Sequence, residues 1–209
     1  SAAGVGVTSI DELETLAAST KMGAPVTVFV RAHGVTRQTS ELLDELSNKY
    51  SGFSYVDCTC PYVKKIHRIA AENSLPENEG EENIFILLGA ESHPEVIGIV
   101  SYFEGKSFVF STARELEEAA INKKIPINSN IVPIMAAQTT QKLTEWKYSL
   151  NIIKKVYTNV RIFDTICNVT EIRQLEAEEL SKACETIIVI GGRDSSNTAK
   201  LYAICSENC

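Results

Sequence analysis

This sequence predicts an α/β fold built on parallel sheets, and three observations predict it. Short apolar runs alternate with longer stretches of helical periodicity. Most of the runs are continuously apolar, as strands buried on both faces are. One plan of apolar strand, polar loop and helix also recurs along the chain. Such βαβα alternation makes parallel sheets covered by helices.

In chain order, strands are expected at 26–30, 53–56, 84–88, 107–110, 131–135, 160–163 and 187–190. Helices are expected at 39–49, 63–73, 113–120, 144–157 and 171–184. Pro94 starts another, its missing N–H harmless at a helix N-terminus. The acidic, Pro-containing stretch 74–82 (SLPENEGEE) is the clearest surface loop. The recurring plan is read in VTVFVRAHGVTRQTSELL, NIFILLGAESHPEVIGIV and TIIVIGGRDSSNTAKLY. A second repeat, VDCTCPYVKKIHRIAAE and FDTICNVTEIRQLEAEE, places Asp-x-x-Cys at a strand end, as Asp57…Cys60 and Asp164…Cys167. Polar residues thus gather at strand C-termini, the edge where open α/β sheets bind ligands. Several such units facing a common centre would bring their loops together.

The 209 residues suffice for one or two cores, and 44% hydrophobic with 22% charged residues is ordinary for a soluble protein. The net charge of −7 and the lack of a basic stripe argue against nucleic-acid binding. An anionic ligand would then depend on helix N-termini, histidines and backbone donors, because the overall field opposes it. No apolar run approaches a membrane span. The opening Ser1-Ala2-Ala3-Gly4 is no secretory signal and lacks an initiator Met, as in a processed or partial chain. The cysteines at 58, 60, 167, 184, 205 and 209 read as reduced cytoplasmic thiols, some of them metal ligands.

Cys60 and Cys167 each follow a strand and precede a helix, a position that favours the thiolate. They are either ligands or reactive thiols, or simply small buried residues. Cys58 is a neighbour rather than a ligand. Cys184, Cys205 and Cys209 read as structural, although Cys205 and Cys209 could share a helix face. His33 and His93 occupy equivalent places after strands, where imidazolium would suit phosphate. His67 lies inside a helix as a solvated or packing residue. Glu95 is either a helix-dipole contact or a proton relay. The loop 191–197, with Asp194 inside it, is either an anion site or a plain N-cap at Ser195, Ser196 and Asn197. Thr139 and Thr140 are caps or hydroxyl donors.

Six words occur in register: AHGV at 32–35, TCP at 59–61 with the following KKIH, HPEV at 93–96, QTT at 138–140, DTIC at 164–167 and SSN at 195–197. Together they resemble the 4-hydroxy-3-methylbut-2-enyl diphosphate reductase family (IspH/LytB), across nearly the whole chain. The resemblance implies a pseudo-threefold trefoil of small α/β domains around a central 4Fe–4S cluster. The units would be 1–60, 61–163 and 164–209, the outer two partial. It implies that Cys60 and Cys167 are two of three cluster thiolates. It implies that His33, His93, Ser195, Ser196 and Asn197 contact diphosphate, with Thr139 and Glu95 at the substrate hydroxyl and Thr140 close by. Reductive removal of that hydroxyl, with ferredoxin or flavodoxin as electron donor, would give isopentenyl and dimethylallyl diphosphate. The family's first cysteine and a further histidine have no counterpart before Val26, and its phosphate-binding serine beyond position 209 has none either. The chain is therefore expected to be cut short at both ends and unable to hold an intact cluster alone. On the residues alone, two other classes stay open: an anion-binding α/β module without redox chemistry, and a thiol or zinc protein using Cys58, Cys60 and Cys167.

Overall fold

The computed structural model describes residues 5–20, 23–193 and 195–208. A 3-10 turn (Ile10–Glu12) runs into α1 (Leu13–Ser19), a helix the sequence pattern does not announce because only Leu13 and Ala17 of it are buried. Strand β1 (Val26–Val30), helix α2 (Arg37–Lys49) and strand β2 (Phe53–Asp57) follow. The strands pair in parallel, Val26 opposite Phe53 and Val30 opposite Asp57. Thr36 caps α2, its Oγ1 accepting the Thr39 N–H at 3.2 Å. Leu43 and Leu46 of α2 close over Val30 and Phe53 together with Leu13 and Ala17. The other face of this small sheet is open, with Phe29 60% exposed.

Helix α3 (Pro61–Glu72) carries the chain to a larger sheet. There β3 (Glu82–Leu88), α4 (Pro94–Ser101), β4 (Lys106–Phe110), α5 (Ala113–Ile121), β5 (Ile131–Ala137), α6 (Leu143–Val156) and β6 (Arg161–Ile162) alternate. The strand order is β4-β3-β5-β6, all parallel. Side chains of β3 alternate between two cores. Ile84, Ile86 and Leu88 cluster with Leu116 of α5 and with Trp146 and Ile153 of α6. Phe85 and Leu87 cluster with Ile66 of α3 and with Val96 and Ile99 of α4. Burial on both faces is why β3 reads as an unbroken apolar run. The chain leaves β3 for β4 on one side and then crosses to β5 on the other. The loops after β3 and β5 therefore diverge from a switch point, the place where open sheets hold ligands.

Pro133 lies inside β5, opposite Ile84. The Ile131 carbonyl accepts Asn159 Nδ2 at 3.0 Å and the Met135 carbonyl accepts the Phe163 N–H at 2.8 Å, both on the side away from β3. By the two-residue period of a strand, Pro133 faces that same side. Strand β6 begins only opposite Ile134, so the missing N–H leaves no ladder bond unmade.

Helices α7 (Asn168–Ala183) and α8 (Ser196–Cys205) pack on each other. The strand expected at 187–190 does not form. That run has no ladder partner among the described residues, and Ile188 and Ile190 are 82% and 91% exposed. A strand is held by its neighbour's hydrogen bonds, so an apolar run without one stays irregular. The remaining expected strands and helices form, with small shifts at their ends. No helix among the described residues is long and apolar enough to cross a membrane.

Candidate functional site

Both Asp-x-x-Cys words end on helix starts. Cys60 is the N-cap of α3 and Cys167 the N-cap of α7, and both are free and half-buried thiols. A helix N-terminus stabilises a thiolate through its unpaired N–H groups. The Cys60 N–H donates to the Ala32 carbonyl at 2.9 Å, beside His33, and the Cys167 N–H donates to the Thr139 carbonyl at 2.9 Å. The Tyr62 hydroxyl donates to Asn168 Oδ1 at 2.6 Å, tying the two helix starts together next to their cysteines. Asp57 shapes the approach to Cys60 by accepting the Thr59 N–H at 2.9 Å and pairing with Lys64 at 2.6 Å. The described residues hold no group of three or more His, Cys, Asp or Glu placed for a metal ion. Cys58 and Cys184 are exposed. Cys205 is buried, its Sγ 3.9 Å from the Ala177 carbonyl. Cys209 and Asp194 lie outside the described residues.

The loops after β3 and β5 meet at the switch point. His93 caps α4, its Nδ1 accepting the Glu95 N–H at 3.1 Å. Glu95 is 2% exposed and reaches across to the loop after β5. Its Oε1 accepts the Thr139 N–H at 2.7 Å and its Oε2 the Thr139 hydroxyl at 2.9 Å. A carboxylate present only for the helix dipole would sit in water. This one is buried and doubly bonded. Burial drives its pKa up, against the Thr139 donors and the charges of His33 and Lys200.

His33 is exposed after β1, its ring 5.3 Å from that of His93 and nearly perpendicular to it. Gly34 follows with φ +75°, and a Cβ there would lie 2.8 Å from His67 Cε1, so the His-Gly word is a steric requirement. Burial, reinforced by His33 and Lys200, lowers the His93 pKa. His93 Nδ1 is engaged by the cap, which leaves Nε2 as the ring nitrogen for a ligand. His67 is buried and stacks on Tyr102, with centroids 4.2 Å apart and planes 16° apart. It is a packing residue.

Ser195 caps α8, its Oγ accepting the Thr198 N–H at 3.3 Å. Gly191 precedes it because a Cβ would collide with the Thr198 side chain. Ser196 Oγ lies 3.0 Å from Thr140 Oγ1, which joins the start of α8 to the loop after β5. Asn197 is half-buried, and its Oδ1 has no partner among the described residues. Lys200, one turn further along α8, escaped the sequence reading. It is half-buried, and its charge acts on both Glu95 and His93. The available signal was its four-residue spacing from Ser196, which puts both on one helix face. The structure thus gathers Glu95, Thr139, His33 and His93 closely, attaches Thr140 and Ser196 to them, and sets the two cysteines at the flanks. This donor set suits a polyanion, and the acid–hydroxyl pair suits proton transfer.

Residues 3–209 match the family described as LytB protein. A 4-hydroxy-3-methylbut-2-enyl diphosphate reductase from Caldanaerobacter subterraneus is 32% identical over 206 residues, 99% of this chain and 63% of that protein. A protein of the same name from Clostridium tetani is 38% identical over 185 residues, 87% of this chain but 26% of that one. Among solved structures, an (E)-4-hydroxy-3-methyl-but-2-enyl diphosphate reductase, the terminal enzyme of the non-mevalonate pathway, superposes with TM-score 0.58 at 30% identity, covering 96% of this chain and 69% of that one. The Plasmodium falciparum reductase superposes with TM-score 0.73 at 21% identity over 90% of this chain and 55% of that one, a likeness of fold. The chain spans less than two thirds of the length of these curated relatives.

Proposed function

We propose, from the premise that this chain belongs to the LytB protein family, that it builds much of a reductive dehydroxylation site for 4-hydroxy-3-methylbut-2-enyl diphosphate. The observation that carries the reading is the buried Glu95–Thr139 pair beside the His33–His93 pair. His33, His93 Nε2–H, Thr140 and the Ser195–Asn197 turn hold the diphosphate, with helix α8 presenting its N-terminus to the anion. Cys60 and Cys167 hold part of a 4Fe–4S cluster, which supplies electrons and a Lewis-acidic iron when bound.

Two electrons and two protons convert the allylic C–OH into C–H and water. Burial raises the Glu95 pKa; when Oε2 carries a proton its bond with Thr139 Oγ1 reverses, Oε2 passes that proton to Oγ1, and the Thr139 proton goes to the leaving oxygen. The C–O bond breaks, water departs, and the allylic anion takes the second proton at one of two carbons. The products are isopentenyl and dimethylallyl diphosphate. The electron donor is a ferredoxin or flavodoxin, and the reduced thiols suit the cytoplasm. The units 1–60, 61–163 and 164–209 belong to a pseudo-threefold trefoil.

Anaerobic reconstitution with iron and sulfide tests the reading. Iron uptake by this chain should fall in both Cys60→Ser and Cys167→Ser, and in a full-length reductase carrying this segment dithionite-driven turnover should fall in Glu95→Gln. Pyrophosphate binding with no iron, sulfide or turnover would replace it with an anion-binding module.

A further inference from the structure

We propose that Thr165 is a positioning residue of this site: its buried hydroxyl, clamped on both backbone groups of Ala137, holds Cys167 in register with Thr139. The inference rests on the reading above, in which Cys167 serves a cluster and Thr139 relays a proton. Strand β6 ends at Ile162, yet the chain stays tied to β5 beyond it, at every second residue. The Phe163 N–H donates to the Met135 carbonyl at 2.8 Å. At Ala137 the Thr165 side chain takes over. Its Oγ1 accepts the Ala137 N–H at 2.9 Å and donates to the Ala137 carbonyl at 2.6 Å. The Cys167 N–H then donates to the Thr139 carbonyl at 2.9 Å.

Thr139 is thereby tied on two sides, its N–H and hydroxyl to Glu95 and its carbonyl to Cys167. The Thr165 rung comes immediately before that junction, and a side chain makes it. Thr165 is 3% exposed and Ala137 fully buried, so water cannot stand in for the hydroxyl. Without it the Ala137 N–H and carbonyl would be buried unpaired, which is costly. The other Asp-x-x-Cys word is built differently. There Cys58 holds the place of Thr165, and its backbone N–H donates to the Val30 carbonyl at 3.2 Å. The Cys60 N–H follows with the Ala32 carbonyl at 2.9 Å, and Thr59 turns inward to Asp57. Backbone bonds tie the Cys60 word to its neighbouring strand, whereas the Cys167 word leans on one hydroxyl. Loss of that hydroxyl loosens Cys167 and leaves Cys60 as it was.

Amide hydrogen exchange of the intact chain, with thiol alkylation alongside, tests this. Thr165→Val keeps the shape and removes the hydroxyl. Protection at the Cys167 and Thr139 amides should fall about tenfold or more, the scale of one buried hydrogen bond. The amides of β3 report the whole sheet and should change less. Cys167 should alkylate faster relative to Cys60, and Thr165→Ser should restore both readouts. After anaerobic reconstitution with iron and sulfide, the Val variant should hold less iron than the Ser variant. A Val variant whose Cys167 amide exchanges within about twofold of the parent overturns the proposal. So does an equal loss of protection at β3, Thr139 and Cys167 that Ser does not restore, which would mark a general structural role. If Thr165→Val takes up iron as the parent does while Cys167→Ser does not, Thr165 falls and the cluster reading stands. If Cys167→Ser takes up iron as the parent does, both fall.

Discussion

Phe85, Ile86 and Leu87 of the four-stranded sheet have no exposed surface, whereas Ile188 and Ile190, after α7, are 82% and 91% exposed. Both segments read alike as sequence. In the first, side chains find a core on each face of the sheet. In the second, two helices pack on each other and the apolar run between them touches little. The sheet side is also tied internally by buried bonds, as Glu95 to Thr139 shows. The helix side is joined to it by a few polar links: Gln174 Nε2 to the Gln141 carbonyl at 2.9 Å, the Leu143 N–H to Gln174 Oε1 at 3.0 Å, and Ser196 to Thr140. The Glu95–Thr139 pair is therefore preorganised by packing, and the start of α8 is hung from helices held more lightly.

Four measurements break or sharpen this contrast. Phe85→Ala should cost about 3–5 kcal/mol in denaturant unfolding. A loss below about 1 kcal/mol would mean that the sheet core is no firmer than the helix pair. Next in size is the acid limb set by His67. Its pKa is held down to about 4 by burial, with Asp57 opposing and Lys64 adding. Unfolded chain takes up the proton first, so the stability present above the ordinary value of 6.5 is lost as pH falls through about 4. The loss is about 3 kcal/mol. His67→Gln should flatten that limb in melts between pH 4 and 7.

Glu95 should give a smaller effect of opposite sign. Its raised pKa makes its contribution complete below the ordinary value of 4.5 and lost as pH rises through the folded value. Melting Glu95→Gln at pH 5 and pH 7.5 should show less decline with pH than the parent. An unchanged decline would detach the effect from Glu95. The smallest change belongs to Ile190→Ser, which should shift stability by no more than about 0.5 kcal/mol. A larger cost would reveal a covering for that run.

The buried strands were legible because burial on both faces writes itself as an uninterrupted apolar run, as at 84–88. The polar words at their ends were legible because side chains there repeat at equivalent places. Residues 187–190 misled for the same reason: apolarity announces a wish for burial, and the neighbour that grants it is a tertiary fact. Helix α1 went unread since it buries little more than Leu13 and Ala17. Lys200 was hidden because a lysine on a helix usually faces water, and only the fold half-buries this one. The downward pull of burial on the His93 pKa was likewise beyond sequence, as was the cap bond at its Nδ1.

Pro133 bears on how this molecule keeps company with copies of itself. The two-residue β6 covers only part of the outward side of β5. A partly bare strand edge is a template on which a foreign strand can zip, the first step toward fibrous association. Here the Ile131 carbonyl is already occupied by Asn159, and at Pro133 there is no N–H to offer. A visiting strand would find the ladder interrupted at its first rungs. One imino acid thus guards solubility at the place where the main sheet is least finished.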